Sequence, residues 1–258
     1  VLALLAAAGC TKNTDIRTFP TARGAVGDLQ QGAVDAVVGD YPVIAFEARE
    51  SAGKLQVAGR QYDIATLGMG VAKDAPQLKA AITDALRRIV ADKTYHAIMV
   101  TWAVTEAEVD APAAPAGVPA PGDVPQLKDG VLKVGMELSY APMEFYDETK
   151  REAGVDVELG QALGKALGVK VEFVDMPFDA LLGAVETGKV DVVASAMAIT
   201  PEREQRVDFI PYMALGSGIL VEKGNPNRIR TVTDLCHRVV GVQAGTSQLS
   251  NLQSLKCE

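Results

Sequence analysis

The 258-residue sequence predicts an α/β protein built from two related lobes. Short β-branched apolar runs alternate with helical periodicity along most of the chain, as expected for strands and helices packed around mostly parallel sheets. One unit also occurs twice. Asp28-Leu-Gln-Gln-Gly32-Ala-Val-Asp35-Ala-Val-Val38-Gly-Asp40 parallels Ala184-Val-Glu-Thr-Gly188-Lys-Val-Asp191-Val-Val-Ala194-Ser-Ala196. Each copy reads helix, glycine, x-Val-Asp, buried strand, then a candidate site residue at the strand end. Two such units facing each other would form a cleft between lobes. Finally, a Pro- and Ala-rich stretch, 105–129, separates the α/β regions and lacks periodicity, the composition of a semi-extended, unpacked linker.

The elements follow in order. Residues 16–19 read as a strand, 22–31 as a helix, 34–38 as a strand, 42–51 as a helix and 55–58 as a strand. The stretch 62–71 is extended and runs through Gly68-Met-Gly70, which lacks the third glycine of a dinucleotide fingerprint. Residues 76–92 form an amphipathic helix with Leu78, Ala81, Ile82, Ala85, Leu86, Ile89 and Val90 on one face, and 93–102 a shorter helix. After the linker come a strand at 131–134, a helix at 155–167, a strand at 170–174, a helix at 179–187 and a short buried strand at 190–194. Strands at 217–222 and 239–242 follow, with a helical turn at 232–235 between them and a last helix opening at Gly245-Thr-Ser-Gln248.

Bulk properties narrow the function. A net charge of −8, with no basic cluster beyond Arg228-Ile-Arg230 or Arg87-Arg88, argues against nucleic acid as a partner. The apolar run 1–8 is far shorter than a membrane span. The histidines, His96 and His237, lack metal-ligand spacing, and neither a phosphate loop nor a nucleophile elbow is present. No cofactor or metal is expected.

The most informative stretch begins at Asp191. A buried strand ends in Ser195-Ala-Met-Ala-Ile-Thr200-Pro-Glu-Arg203, where Thr200 is an N-cap and Pro201 a first helical residue. The carboxyl end of a strand meeting a helix start is where open α/β sheets bind ligands. Ser195 to Phe209 resembles the S-x-x-x-I-T-x-x-R-x-x-x-x-x-F segment of the bacterial extracellular solute-binding proteins serving polar amino-acid ABC transporters. The resemblance continues in register, but the pieces are reordered. The helices at 76–102 resemble the family's closing helices, and the chain restarts after Gly130 with its opening strand.

The resemblance implies a type II periplasmic-binding fold, circularly permuted, with a fragment of a tandem array as the alternative. One lobe would comprise 61–104 and 130–222, the other 11–60 and 228–258, with hinge strands near 58–64 and 219–228. It implies capture of a free amino acid by hinge closure, delivery to an ABC transporter permease, a monomeric state and a periplasmic or extracellular location. Ala7-Ala8-Gly9-Cys10 is similar to a truncated lipoprotein signal, making Cys10 a lipidation candidate, although loop sequence is the alternative. In an exported protein Cys236 and Cys257 are expected to pair, with two buried thiols as the alternative.

Site residues follow by position. Arg203 would anchor the ligand carboxylate, aided by Thr246, Ser247 and Gln248 at a helix start, and Asp40 would meet the ammonium. Tyr140 would cover the ligand and Phe178 would line its side-chain pocket. Ser195 and Thr200 offer hydroxyls and Ala198 a carbonyl, at a position where the family often has Ser or Thr. Glu137, with Glu144 nearby, leans towards a basic or strongly polar ligand. A dehydratase acting on cyclic carboxylates, or a sensory ligand-binding module, are the other readings of the same fold.

Overall fold

The computed structural model describes residues 14–257. Cys10 and its signal-like context lie outside the described residues. The first α/β stretch comprises β1 (Asp15–Phe19), α1 (Ala22–Gln30), β2 (Ala36–Asp40), α2 (Tyr41–Glu50) and β3 (Leu55–Ala72). The helices α3 (Pro76–Ala91) and α4 (Thr94–Thr101) follow. The second stretch contains β4 (Val131–Met136), a small meander of β5 (Ser139–Tyr140), β6 (Glu144–Tyr146) and β7 (Glu152–Ala153), then α5 (Val155–Leu167) and β8 (Lys170–Asp175). It continues through α6 (Leu181–Glu186), β9 (Val192–Val193), α7 (Pro201–Arg206), β10 (Val207–Glu222), β11 (Val239–Gln243) and α8 (Ser247–Gln253).

Eight strands form one sheet in the order β1-β11-β2-β10-β3-β9-β4-β8. At one end β1, β11 and β2 are parallel; at the other β9, β4 and β8 are parallel. The antiparallel pair β3–β10 joins them. Each end has its own cores above and below the sheet. Val37 and Leu220 pack with α1 on one face, while Ala36, Val38, Ile219 and Val221 pack with Leu235 and Leu252 on the other, as strand alternation requires. At the far end Leu132 and Val134 pack beneath α3 and α5, and Val193 packs against α6. The molecule is therefore two α/β lobes threaded by two shared strands.

The repeated unit is reproduced in space. The Asp35 N–H donates to the Val239 carbonyl at 2.7 Å, and the Asp35 Oδ2 accepts the Val239 N–H at 2.8 Å. Asp191 treats Lys133 identically, at 2.9 and 2.8 Å. Each aspartate thus satisfies both backbone groups of one residue on the adjacent parallel strand, which explains the shared x-Val-Asp pattern.

Three expectations need correction. The separate strands at 55–58 and 62–71 are one 18-residue strand, β3, and the strand at 217–222 is the end of the 16-residue β10. Glycines made these runs look interrupted, yet pairing continues with register shifts between Pro211 and Met213 and between Leu215 and Ile219. At Gly59, φ is +72° and a Cβ would lie 2.0 Å from the Arg230 carbonyl oxygen, so only glycine fits this bend. Secondly, the strand at 190–194 is regular only over Val192–Val193, flanked by the Asp191 and Ala194 N–H bonds to the Lys133 and Gly135 carbonyls, and the chain turns away at Ala196 with φ 44°. Thirdly, 105–129 is not unpacked. Val124 and Leu127 are buried in the core beneath α3 and β4, and His96 bonds Glu108 at 2.7 Å. Ala107, Val124 and Leu127 are the buried apolar residues that dock it.

Cys236 and Cys257 form a disulfide, 21 positions apart, that fastens the segment after α8 to the turn before β11. Loop-closure entropy assigns such a bridge about 3 kcal/mol. The double variant Cys236→Ser/Cys257→Ser should therefore melt roughly 6–12 °C below the parent by calorimetry. A variant melting with the parent would show that the bridge adds no stability.

Candidate functional site

Four strand ends converge between the lobes. β2 ends at Asp40, β11 at Gln243, β4 runs into Glu137, and β9 runs into the 195–198 turn. These positions, with α7 and the start of α8, enclose one cleft. It is lined by Asp40, Glu137, Tyr140, Glu144, Phe178, Ala196, Ala198, Arg203, Gln243, Thr246, Ser247 and Gln248. Ligands bind beyond the carboxyl ends of strands because loops and helix starts expose N–H groups there.

Arg203 is placed by its helix. Thr200 caps α7, its hydroxyl accepting the Arg203 N–H at 3.3 Å. The guanidinium lies 5.5 Å from the centre of the Phe178 ring, donates from Nη1 to the Ala198 carbonyl at 2.6 Å and from Nη2 to the Gly245 carbonyl at 3.0 Å. It thereby touches both lobes. Burial lowers its pKa, opposed by the charge of Asp40. Its remaining N–H groups are available to a carboxylate.

Asp40 sits on the opposite wall, 7% exposed. The Tyr140 hydroxyl donates to its Oδ2 at 2.8 Å and accepts its backbone N–H at 3.2 Å. Gln248 Nε2 donates to its Oδ1 at 2.8 Å. Burial nevertheless pushes its pKa up to about 6, and the Tyr140 and Gln248 bonds and Arg203 charge only partly offset this. Tyr140, expected as a cover, is fixed by its hydroxyl to Asp40.

Glu137 links the lobes. Its carboxylate accepts the Ser139 hydroxyl at 2.6 Å and the Gln243 amide N–H across the cleft, and burial raises its pKa. Thr246 donates to the Gln243 carbonyl at 2.8 Å and caps α8, leaving Ser247 and Gln248 at the helix start. The expected residues do not all reach the cleft. Ser195 lies behind it, 1% exposed, donating to Glu144 at 2.5 Å and accepting the Glu137 N–H at 3.1 Å. Thr200 is not on the cleft wall, its hydroxyl being taken by the cap. The carbonyl of Ala198, expected to face a ligand ammonium, carries Arg203 Nη1. Sequence reasoning missed Gln243 and Ala196. Gln243 could have been found, since it directly follows the predicted strand 239–242, two residues before Gly245. Ala196 was hidden because its role rests on a positive φ in a non-glycine residue. Among the described residues no cluster of histidine, cysteine, aspartate or glutamate could hold a metal ion.

Strand ends from two lobes, with one guanidinium and several carboxyls facing a shared cleft, define a two-lobed α/β fold with an interlobe site. Over residues 132–253 the chain matches the family model of the bacterial extracellular solute-binding proteins, family 3. It is 34% identical over 125 residues to the probable histidine-binding protein of Campylobacter jejuni, covering 48% of each chain. It is 37% identical over 119 residues to the L-cystine-binding protein TcyJ of Escherichia coli, covering 46% of this chain and 45% of that one. The arginine-binding extracellular protein ArtP of Bacillus subtilis is 38% identical over 117 residues, 45% of each chain. An ancestral arginine-binding protein solved with arginine is 36% identical with a TM-score of 0.42, over 48% of this chain and 55% of that one. The chain spans about half the length of the curated relatives it matches. Among the described residues no helix is long and apolar enough to cross a membrane.

Asp40 yields a test. Its pKa is higher folded than unfolded, so the folded state takes up a proton between pH 3.8 and about 6. The burial cost is absent below that window and fully present above it, at about 3 kcal/mol. Asp40→Asn should therefore stabilise the ligand-free protein at pH 7.5 by up to that amount and give no gain near pH 3.5, as measured by denaturant unfolding. An unchanged difference at the two pH values would show that Asp40 is not charged at a cost.

Proposed function

We propose that this protein binds one free polar amino acid, with a preference for a cationic side chain, and presents it to an ABC transporter permease. The observation carrying this reading is the placement of a half-buried guanidinium, Arg203, and a buried carboxyl, Asp40, on facing walls of one interlobe cleft. A zwitterion needs opposite charges at its two ends, since burying either end unpaired costs several kcal/mol. Arg203 with Thr246, Ser247 and Gln248 takes the carboxylate, and Asp40 the ammonium. Phe178 and Tyr140 line the remainder, while Glu137 makes that region acidic. The names of the relatives, binders of histidine, cystine and arginine, agree with this.

In this reading 61–104 with 130–222 forms one lobe, 11–60 with 228–258 the other, and β3 and β10 are the hinge. The protein works as a monomer outside the cytoplasmic membrane, with Cys10 as its lipid anchor. The order is that of a circular permutant. Supporting this, the family model matches 132–253, the helices at 76–102 resemble the family's closing ones, and Thr14 lies beside Cys257, Oγ1 to Sγ 3.7 Å. A rearranged chain running 131–257 and then 14–104 should therefore fold and keep the parent's ligand profile. A rearranged chain that does not fold would overturn the permutation.

The function is tested by thermal shift against the common amino acids, with agmatine and putrescine as carboxylate-free controls. A ligand at about 100 times its Kd adds roughly 2.7 kcal/mol, a rise of about 5–10 °C. One or two amino acids should give it, the controls should not, and Arg203→Ala should abolish it. A cooperative melt that no amino acid shifts would overturn the reading.

A further inference from the structure

Behind the cleft, two fully buried carboxyl groups meet: Glu144 on β6 and Asp156 in the first turn of α5, each 0% exposed. Glu144 Oε1 accepts the Ser195 hydroxyl at 2.5 Å, and Asp156 Oδ2 accepts the Ala196 N–H and the Tyr212 hydroxyl, both at 2.8 Å. The other two oxygens, Glu144 Oε2 and Asp156 Oδ1, are buried without a hydrogen-bond partner. Each carboxyl acts on the other, and a proton on one of them would remove the repulsion of two buried charges and supply the donor that these orphaned oxygens lack.

Among the described residues neither carboxyl is in an ion pair. Ionisable groups that act on the pair include Glu137 beyond β4, Tyr140 on β5, Asp40 at the end of β2 and Tyr212 on β10, none of them basic. Arg203 acts on Asp40, on the cleft side.

We propose that Glu144 and Asp156 hold one proton between them at neutral pH, and that this shared proton positions the floor of the binding cleft. The pair grips consecutive residues of one turn, Ser195 through its hydroxyl and Ala196 through its N–H, and Ala196 is held at φ 44°. Ser195 in turn receives the Glu137 N–H, and two residues further on the Ala198 carbonyl holds Arg203. Both cleft-wall groups therefore hang from the same dyad. The proton resides on Glu144, whose pKa burial and the Asp156 charge hold well above the carboxylate range; two donors on Asp156 favour its charged form. Glu144 and Asp156 are positioning residues. The consequence for affinity rests on the amino-acid-binding reading, whereas the existence of the dyad does not.

The test needs no ligand. Unfolding is measured between about pH 6.5 and 8, above the Asp40 window, for the parent and for Glu144→Gln. The glutamine amide donates to Asp156 and its carbonyl accepts from Ser195, replacing the proton with a hydrogen that does not titrate. The parent should lose stability as pH rises, by about tenfold in the unfolding constant per pH unit for one proton, and Glu144→Gln should be flatter by that factor. Hydrogen exchange of the segment 192–200 should stay slow in Glu144→Gln and become fast in Glu144→Leu. Parallel pH profiles for the parent and Glu144→Gln would overturn the shared proton. Slow exchange of 192–200 in a folded Glu144→Leu would overturn the positioning role. Failure of the amino-acid screen leaves both measurements interpretable.

Discussion

The antiparallel pair β3–β10 is the constraint on which the other features depend. It is the only pairing in the eight-stranded sheet that belongs to both lobes, and it stays hydrogen-bonded from Leu55–Glu222 to Ala72–Val207. A single sheet thus fixes where the two three-stranded parallel units stand, and so where their carboxyl ends face each other. The bulges at 211–213 and 215–219 and the bend at Gly59 let the pair turn while the ladder resumes on either side. Asp35 and Asp191 then tie equivalent strands at either end, so both lobes deliver a strand end to the cleft from the same local solution.

Charge in that cleft is deliberately uneven. Asp40 and Glu137 face one guanidinium, and burial raises the pKa of both acids. Each is held by hydrogen bonds rather than by an ion pair, which keeps it oriented without neutralising it. Buried charge held in that way costs the ligand-free protein stability. If Asp40 meets a ligand ammonium, as proposed, stability and binding pull against each other there.

The segment 105–129 shows how little sequence is needed to dock a connection. Prolines and alanines dominate it, yet Val124 at 0% and Leu127 at 3% exposure join the core under α3 and β4. Tyr95 adds to this, donating to the Tyr212 carbonyl and accepting the Val109 N–H. The segment closes one lobe on itself.

Much was determined by sequence alone. Alternating periodicities set the α/β class, the x-Val-Asp repeat announced two related lobes, and the apolar face of α3 matches its buried residues from Leu78 to Ile89. Arg203 and Asp40 were legible because strand ends and helix starts carry local signals: Thr200 before Pro201, and an acid closing a buried strand. Tertiary structure alone decided the rest. Glycines disguised β3 and β10 as fragments, since continuity there comes from cross-strand hydrogen bonds and not from side-chain pattern. The Glu137–Gln243 bond, the Tyr140 clamp on Asp40 and the Glu144–Asp156 pair each join residues from different strands or lobes. Their protonation depends on burial and on partners far away in the chain, quantities that no local spacing of residues encodes.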